Sequence, residues 1–246
     1  MTGDLEFAHA LADGADALTM ARFRAHDLRV ETKPDLTPVS EADRAAEEKI
    51  RSLVAESGRG EGVLGEEYGD DGGDATWIVD PIDGTKNYVR GIPVWATLLA
   101  LEREGELVCA LASAPALRQR WWAVRGGGAF VDGNACRVSA VSRLEDAAVS
   151  TTSAADMPPG WSRIIGRSWS NRGYPDFWQY CLIAEGAIDA ACDPTMNVWD
   201  YAAVQLIVEE AGGRCSTFTA GPPAQDGSFV ATNGLLHDEV VSLLCV

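Results

Sequence analysis

The sequence predicts an α+β fold in which layered sheets are flanked by helices. Two amphipathic stretches open the chain, short strands separated by glycine turns follow, and the last third mixes helices with strands. Partly segregated helices and strands are typical of α+β layers. No repeat and no long linker divides the chain, so we expect one domain over residues 1–246.

The first part of the chain has the pattern of two helices. Apolar residues recur at helical spacing over residues 4–25, and a second helix is predicted to run to Ser57. Ser40, followed three residues later by Asp43, is a capping-box pattern that marks the start of this second helix. Two prolines in the intervening segment 32–39 predict an extended or turning loop.

The middle of the chain is predicted to form a sheet. Apolar and aromatic runs end in glycine turns, and the segment 103–106 has the pattern of a hairpin turn. Trp121 and Trp122 in this part either pack within the sheet or form a dimer edge. The predicted strands cover residues 76–80, 95–102, 107–113, 121–124, 128–131 and 137–139.

The last part alternates between the two kinds of element. The predicted strands begin at Ala148 and Ser228, and a pair of glycines after Ala211 ends one of the helices. The predicted helices cover residues 177–190, 200–211 and 235–245.

Composition and charge exclude several classes of protein. The 246 residues carry a formal net charge of −17, so we expect no binding to nucleic-acid phosphates or to an anionic membrane surface. No apolar run is long enough for a membrane span, and the N-terminus lacks the basic residues of a signal peptide. The six cysteines are irregularly spaced, which favours reduced thiols and a cytoplasmic location.

Carboxylates are the candidate catalytic groups. The three histidines are far apart in the sequence, and the motifs C-x5-R, D-x-D, G-x-S-x-G and G-x4-G-K-[ST] are absent. Asp80 and Asp83 end a predicted strand, and Pro81 holds them on a tight turn. Two fixed carboxylates repel each other unless a cation lies between them, and hard oxygen ligands in a rigid site suit Mg²⁺.

The residues around this turn could complete a site for phosphoryl transfer. The carbonyl of Ile82 is a further candidate ligand, and Gly84 and Thr85 lead into a predicted helical turn whose N–H groups would bind a phosphate. A metal-bound water as nucleophile would make the reaction a hydrolysis. Taken alone, however, the spacing of the two aspartates fits a structural turn with a helix cap equally well.

Three motifs in order resemble the inositol monophosphatase family. They are GEEYG from Gly65 to Gly69, WIVDPIDGTKNY from Trp77 to Tyr88 and WDYAAVQLIVEEAGG from Trp199 to Gly213. Members of this family are Mg²⁺-dependent, lithium-sensitive phosphatases. The resemblance therefore implies the layered αβαβα sandwich of the inositol monophosphatase and fructose-1,6-bisphosphatase type, two or three Mg²⁺ ions per subunit, and a homodimer.

The resemblance also implies a role for each motif residue. Glu66 and Thr85 would orient the attacking water, and Asp43 would help to hold a further, weaker ion or its waters. Lys33 resembles the lysine of a mobile loop that closes over the site. Each residue has a structural interpretation as well, since Asp43 could only cap its helix and Asp200 could only complement a helix dipole. The implied metal ligands are Glu66, Asp80, the Ile82 carbonyl, Asp83 and Asp200.

The substrate side favours a small cationic phosphomonoester. Asp176 stands where inositol phosphatases of the family keep a small residue, and Asp193 stands where a glutamate often holds a sugar hydroxyl. Two carboxylates suit an ammonium better than a polyol, and such a contact contributes roughly 1.5–3 kcal/mol. Asp176 could instead begin a turn or cap the next helix. The expected substrate contacts are Asp83, Gly84, Thr85, Asp176, Asp193 and Asp200.

Four longer stretches are similar to the histidinol-phosphate phosphatases of the family. They are TKPDLTPV from Thr32, KNYVRGIPVW from Lys86, SAPALRQRWW from Ser113 and ATNGLLHDEV from Ala231. This similarity implies hydrolysis of L-histidinol phosphate in histidine biosynthesis. Two alternatives stay open: an inositol-1-phosphatase or broad-specificity phosphomonoesterase, and a scaffold that binds metal or phosphate without catalysis.

Overall fold

The computed structural model describes residues 3–34, 36–223 and 225–245. Its α-helices are α1 Gly3–Arg22, α2 Glu41–Ser57, α3 Thr85–Val89, α4 Gly160–Arg167, α5 Phe177–Ala184, α6 Val198–Glu210 and α7 His237–Leu244. Its strands are β1 Val30–Thr32, β2 Pro38–Ser40, β3 Gly62–Gly65, β4 Gly69–Asp70, β5 Ala75–Asp83, β6 Ala96–Arg103, β7 Glu106–Ala114, β8 Gln119–Val124, β9 Gly128–Val131, β10 Asn134–Ala135, β11 Ala148–Ser150, β12 Ser170–Arg172, β13 Ala190–Asp193, β14 Arg214–Ser216 and β15 Phe229–Thr232.

Two main sheets form the frame of the described chain. The larger sheet has eight strands in the order β10-β9-β8-β7-β6-β5-β3-β4, and its pairs are antiparallel except for β3 with β5. The smaller sheet has five strands in the order β12-β11-β13-β15-β14 and mixes parallel with antiparallel pairs. Strands β1 and β2 form a separate antiparallel hairpin.

Alternating side chains bury both faces of each sheet. On β5, Val79 faces α1 and α2, whereas Ile78 faces α5 and α6. On β15, Phe229 packs against α5 and α6, and the next residue, Val230, packs against α4 and α7. Successive strand residues point to opposite faces, so each sheet lies between two helical layers. The predicted αβαβα sandwich is confirmed.

Helix α4 was not predicted, and one predicted helix, α5, is shorter than expected. The predicted helix over 177–190 ends at Ala184, because Gly186 has a φ of 73° and turns the chain back toward β13. A Cβ on Gly186 would lie 2.9 Å from the Arg137 carbonyl oxygen, so glycine is also required by the close approach.

One predicted loop is more regular than expected, and one predicted strand is absent. The segment 32–39, predicted to be extended or turning, has extended ends that belong to the β1–β2 hairpin, and residue 35 lies outside the described residues. The segment 137–139 is not a strand: the Val138 N–H donates to the Ala211 carbonyl at 3.1 Å, at the end of α6. The second difference reflects a contact between residues far apart in sequence, which local sequence patterns do not contain.

The predicted packing of Trp121 within the sheet is confirmed. Its side chain is fully buried, and its indole N–H donates to the Glu185 carboxylate at 2.9 Å. Trp122 stacks on Phe130 with ring centroids 6.1 Å apart. All six cysteines are free thiols. No helix in the described part of the chain combines the length and the apolar character needed to cross a membrane.

His237 is a buried, neutral histidine at the start of α7. Its Nε2 lies 2.8 Å from the Ser216 hydroxyl and its Nδ1 lies 3.1 Å from the Thr232 hydroxyl. Burial, followed by the positive charge of Arg214, lowers the pKa of His237 to about 4. The unfolded chain therefore binds a proton in a pH range where the folded chain does not.

We expect the contribution of His237 to the free energy of unfolding to fall as the pH falls from the unfolded histidine pKa of about 6.5 toward about 4, because protonation of this residue favours the unfolded chain. His237→Gln lacks this contribution, so between about pH 7.5 and pH 5.5 its unfolding free energy should change by about 1 kcal/mol in the stabilising direction relative to wild type. Urea unfolding at both pH values measures the difference. His26→Gln, at an exposed position, is the control. Identical pH dependence in His237→Gln and wild type would contradict the assignment.

Candidate active site

A bulge at the end of β5 fixes the two predicted aspartates. The register of β5 against β6 shifts between Asp80 and Asp83. The Asp80 carboxylate accepts a hydrogen bond from the Ile82 N–H at 2.9 Å, and the Thr97 hydroxyl donates to the Pro81 carbonyl at 2.9 Å. Bulges re-aim side chains at sheet ends, and here the bulge holds two carboxylates at one edge.

The predicted helical turn after the bulge is confirmed as α3. Gly84, its N-cap, has a φ of 83°, and a Cβ there would lie 3.1 Å from Asp176 Oδ2. Thr85 begins the helix, and its hydroxyl lies 2.9 Å from the Ile82 carbonyl and 3.1 Å from Asp43 Oδ1. Since the hydroxyl has one hydrogen, it donates to one of these acceptors at a time.

Asp43 and Asp200 combine a capping role with a place at the site. The Ser40 N–H donates to Asp43 Oδ2 at 2.8 Å, and the Asn197 N–H donates to Asp200 Oδ2 at 2.7 Å. The capping interpretation of Asp43 is therefore confirmed. It does not exclude a second role, because the other oxygen of Asp43 faces Thr85.

Three carboxylates form a buried cluster that fits a metal ion. Asp80, Asp83 and Asp200 each offer an oxygen, and these oxygens lie within 4.8 Å of one another. Burial, followed by the charges of neighbouring carboxylates, raises the pKa of Asp80 and Asp83 well above its usual value, and burial raises that of Asp200 to about 7. A divalent cation would remove this repulsion, and carboxylate oxygens are the ligands that Mg²⁺ prefers.

Glu66 lies beside this cluster and is paired with a lysine. Lys33 Nζ lies 2.7 Å from Glu66 Oε1 and 2.6 Å from Glu67 Oε1. Burial opposes the charge on Lys33, but the hydrogen bonds to the two glutamates outweigh it and raise the lysine pKa. Burial raises the pKa of Glu66, and Lys33 partly offsets that rise. Lys33 thus contacts the acidic loop. This contact is compatible with the expected position of Lys33 on a segment that closes over the site.

Most of the predicted site residues line one cavity of about 350 Å³. They come from the acidic loop, the β5 bulge, the start of α5, the end of β13 and the start of α6. Asp43 and Lys33 reach the cavity through their contacts with Thr85 and Glu66. The predicted residues in the lining are Glu66, Asp80, Ile82, Asp83, Gly84, Thr85, Asp176, Asp193 and Asp200.

Asp176 has an unusual backbone conformation at the rim of the carboxylate cluster. Its φ is 55° and its ψ is −138°, and its side chain accepts no capping hydrogen bond from α5. Instead, the Asn87 amide donates to Asp176 Oδ2 at 2.9 Å. Burial, followed by the charge of Asp193, raises the pKa of Asp176 to about 6. The carboxylate is therefore aimed at the cavity and not at the helix.

Asp193 lines the same cavity, but protein groups already surround its carboxylate. Oδ1 accepts from the Thr151 hydroxyl and the Thr152 N–H, at 3.2 and 2.9 Å. Oδ2 accepts from the Thr152 hydroxyl at 3.0 Å, from Gln179 at 2.5 Å and from Tyr180 at 2.7 Å. Asp193 thus contributes negative charge, with few lone pairs left for a ligand.

Several parts of the cavity lining were not predicted from the sequence, including residues 37–38 and 194–197. Another missed part is the wall formed by Thr152, Ser153 and Asp156, where the Ser153 hydroxyl donates to the Asp156 carboxylate at 2.6 Å. The available signal was a polar run directly after the strand predicted from Ala148, at an edge where strand ends often carry site residues. Lys86 also lines the cavity, next to the predicted Thr85.

Comparison with known proteins places these features in a family. The model of the Inositol monophosphatase family matches residues 2–245. A histidinol-phosphatase of Mycobacterium tuberculosis is 50% identical over 98% of this chain and 97% of that protein. A histidinol-phosphatase of Streptomyces coelicolor is 48% identical over 98% and 96%. A solved structure of an IMPase from Thermotoga maritima is similar with a TM-score of 0.92 at 33% identity, covering 98% of this chain and 96% of that one.

We expect Asp200→Asn to stabilise the EDTA-treated protein, increasingly as the pH rises from about 4 to about 7. The folded wild type retains a proton on Asp200 that the unfolded chain releases in this range, so wild type loses stability as the pH rises. At pH 7 or above the gain should reach at least about 1 kcal/mol. Thermal unfolding measures it, with the exposed Asp146→Asn as control.

Added Mg²⁺ should reverse this order, because it stabilises the intact cluster more than the cluster that lacks one charge. Equal Mg²⁺-dependent stabilisation of wild type and Asp200→Asn would rule out Asp200 as a ligand.

Proposed function

The chain belongs to the inositol monophosphatase family, and from that premise we propose that it is a metal-dependent phosphomonoesterase that hydrolyses L-histidinol phosphate to L-histidinol and phosphate. The assignment of this substrate is supported chiefly by the 50% identity, over nearly the whole chain, to a histidinol-phosphatase. The family match over residues 2–245 also supports a single phosphatase domain over residues 1–246.

The acidic cluster would hold two or three Mg²⁺ ions per subunit. Asp80, Asp83 and Asp200 are the central ligands, joined by Glu66 and the carbonyl of Ile82; the short distances between the three aspartates support this set. When bound, Mg²⁺ supplies a water of lowered pKa and neutralises charge on the phosphoryl group. The bulge and the capping box hold the ligands in place before the metal binds.

Thr85 and Asp43 would orient the attacking water. Burial raises the pKa of Asp43 to about 6, so its carboxylate is ionised at neutral pH and accepts the Thr85 hydrogen. A lone pair of the threonine oxygen is then left to accept a hydrogen from water, with Glu66 as the second acceptor. The phosphate would bind at the start of α3, where Gly84 faces the cavity.

Asp176 would bind the cationic part of the substrate. Its φ and ψ lie in a region that glycine adopts easily, and another residue there costs about 1–3 kcal/mol. Such strain at a cavity-facing carboxylate supports a functional role. The ammonium of L-histidinol phosphate would donate to Asp176, and Asp193 behind it would add attractive charge.

Two other functions are weighed against this proposal. Inositol-1-phosphatase or broad-specificity phosphomonoesterase activity is supported by the similarity to the Thermotoga IMPase. A scaffold that only binds metal or phosphate would not need the contact between Thr85 and Asp43. The half-buried Asp176 carboxylate in the cavity lining favours an ammonium over a polyol hydroxyl.

The remaining proposals concern assembly, inhibition, location and partners. We propose a homodimer, inhibition by lithium and a cytoplasmic location, the last supported by the six free cysteines. We also propose that the protein does not bind nucleic acid, since its net charge is −17.

We expect a large preference in kcat/KM for L-histidinol phosphate over inositol-1-phosphate in the presence of Mg²⁺, and loss of both activities with EDTA. Steady-state phosphate release with the two substrates side by side measures it. Equal rates, or faster inositol-1-phosphate hydrolysis, would exclude the proposed specificity and leave the family-level function. A protein inert to both substrates, and to other phosphomonoesters, would support the scaffold.

We expect Asp176→Gly to lower kcat/KM for L-histidinol phosphate by about 10-fold or more, because a charge-assisted contact worth roughly 1.5–3 kcal/mol is lost. Hydrolysis of inositol-1-phosphate should not fall. The same variant should gain about 1 kcal/mol in unfolding free energy, because glycine relieves the positive φ. Asp132→Gly is the matched control, since Asp132 has a φ of 48° and is exposed away from the cavity. An equal decrease for both substrates would contradict a specificity role.

A further inference from the structure

Glu47 is a completely buried glutamate that binds the acidic loop and lies outside the residues assigned above. It is on α2, and its relative exposure is 0%. The N–H of Glu67 donates to Glu47 Oε2 at 2.7 Å, and the N–H of Tyr68 donates to Oε1 at 3.2 Å. A buried carboxylate needs such donors to offset the loss of water. The Glu47 carboxylate thus accepts the two backbone N–H hydrogen bonds that a carbonyl group would accept in a sheet or helix.

Arg51 lies one helical turn further along α2. Together with Glu47 it forms a pair that binds the backbone of the acidic loop, which we call the anchor. Its guanidinium contacts Glu47 Oε1 from Nε at 2.9 Å and from the NH2 group at 2.8 Å. It also donates to the Gly69 carbonyl, at 2.5 Å, and to the Asp71 carboxylate, at 2.5 Å. The pair therefore holds the loop by its N–H groups through Glu47 and by a carbonyl through Arg51.

Gly65 provides the space that Glu47 needs. A Cβ at this position would lie 2.1 Å from Glu47 Oε1, far inside contact distance. Gly65 does not have a positive φ, so the requirement for glycine comes from the glutamate and not from the backbone conformation. The first residue of the acidic motif is thus explained by a contact with α2.

Glu66 lies between two anchored peptide groups. Its own N–H donates to the Val79 carbonyl on β5 at 3.3 Å, and the following N–H, of Glu67, binds Glu47. Asp43 lies one turn before Glu47 on the same face of α2 and binds Thr85. One face of one helix therefore sets the positions of both Glu66 and the threonine hydroxyl.

We propose that Glu47, supported by Arg51, is a positioning residue that fixes Glu66 for metal binding. The inference rests on the proposed function, because it takes Glu66 as a ligand. Without the contacts to Glu47 and Arg51, the site would bind Mg²⁺ more weakly, because Glu66 would have to become ordered when the ion binds. Residues that orient metal ligands typically change metal affinity by about 10- to 100-fold when they are substituted.

The test compares Glu47→Gln with Glu48→Gln. Glutamine keeps the size of the side chain but places an NH2 group against donors. Glu48 is the adjacent residue on α2 and reaches the same loop through the exposed Tyr68 hydroxyl at 2.6 Å, so it is a matched control. The readouts are the Mg²⁺ dissociation constant, fitted to the rise of the unfolding free energy with Mg²⁺ concentration, and the half-saturating Mg²⁺ concentration and saturated value of kcat.

We expect the half-saturating Mg²⁺ concentration of Glu47→Gln to rise by about 10-fold or more, with kcat at saturating Mg²⁺ changed far less. Glu48→Gln should match wild type in both. A Glu47→Gln protein that unfolds at lower temperature but binds Mg²⁺ as wild type does would overturn the proposal, because the residue would then serve stability alone.

Gly65→Ala gives a second, independent test of the same contact and decides the result if Glu47→Gln does not fold. Its Cβ displaces the Glu47 carboxylate while all native charges remain, so the same weakening of Mg²⁺ binding is expected. Unchanged Mg²⁺ affinity in this variant would overturn the inference. Absence of Mg²⁺ stabilisation in wild type would instead show that the proposed metal-dependent function fails, and the inference would fail with it.

Discussion

Repulsion among buried carboxylates at the end of β5 is the interaction on which the site depends. Asp80, Asp83 and Asp200 are held within 4.8 Å of one another by a bulge and by a helix cap, neither of which lets them move apart. Burial raises the cost of ionising them. The fold thus holds an unfavourable arrangement in place, and the proposed divalent cation would make it favourable. If these residues are the metal ligands, the same three side chains lower the stability of the metal-free chain and raise its affinity for metal.

Much of this arrangement was predictable because it is local in sequence. The spacing of Ser40 and Asp43 predicts a capping box, and the Asp80–Thr85 string predicts the turn; both are confirmed. The αβαβα layers followed from a family resemblance and could not have followed from periodicity alone. The role of Glu47 was not predicted, because its hydrogen-bond partners lie about twenty residues further along the chain, in the loop after β3. The end of α5 at Ala184 was missed because a helical pattern continues beyond it.

The two substrate-side carboxylates looked alike in sequence but differ physically in the structure. Asp193 is surrounded by hydroxyl, amide and N–H donors, which partly offset the burial that raises the pKa of its carboxyl group. Among the described residues, Asn87 is the side-chain donor to Asp176, whose backbone conformation favours glycine. The Asp176 carboxylate therefore has more acceptor capacity left than that of Asp193, which is why the proposed substrate contact is assigned to it. Only atomic contacts could separate them.

The backbone conformation of Asp176 also affects how substitutions at this position would be selected during evolution. A substitution to glycine there removes strain, so it is favoured by foldability even while it removes the contact for a cation. If Asp176 has the proposed role, weak selection for a cationic substrate would let this carboxylate be lost more easily than regained, because the reverse substitution restores the strained backbone and lowers stability.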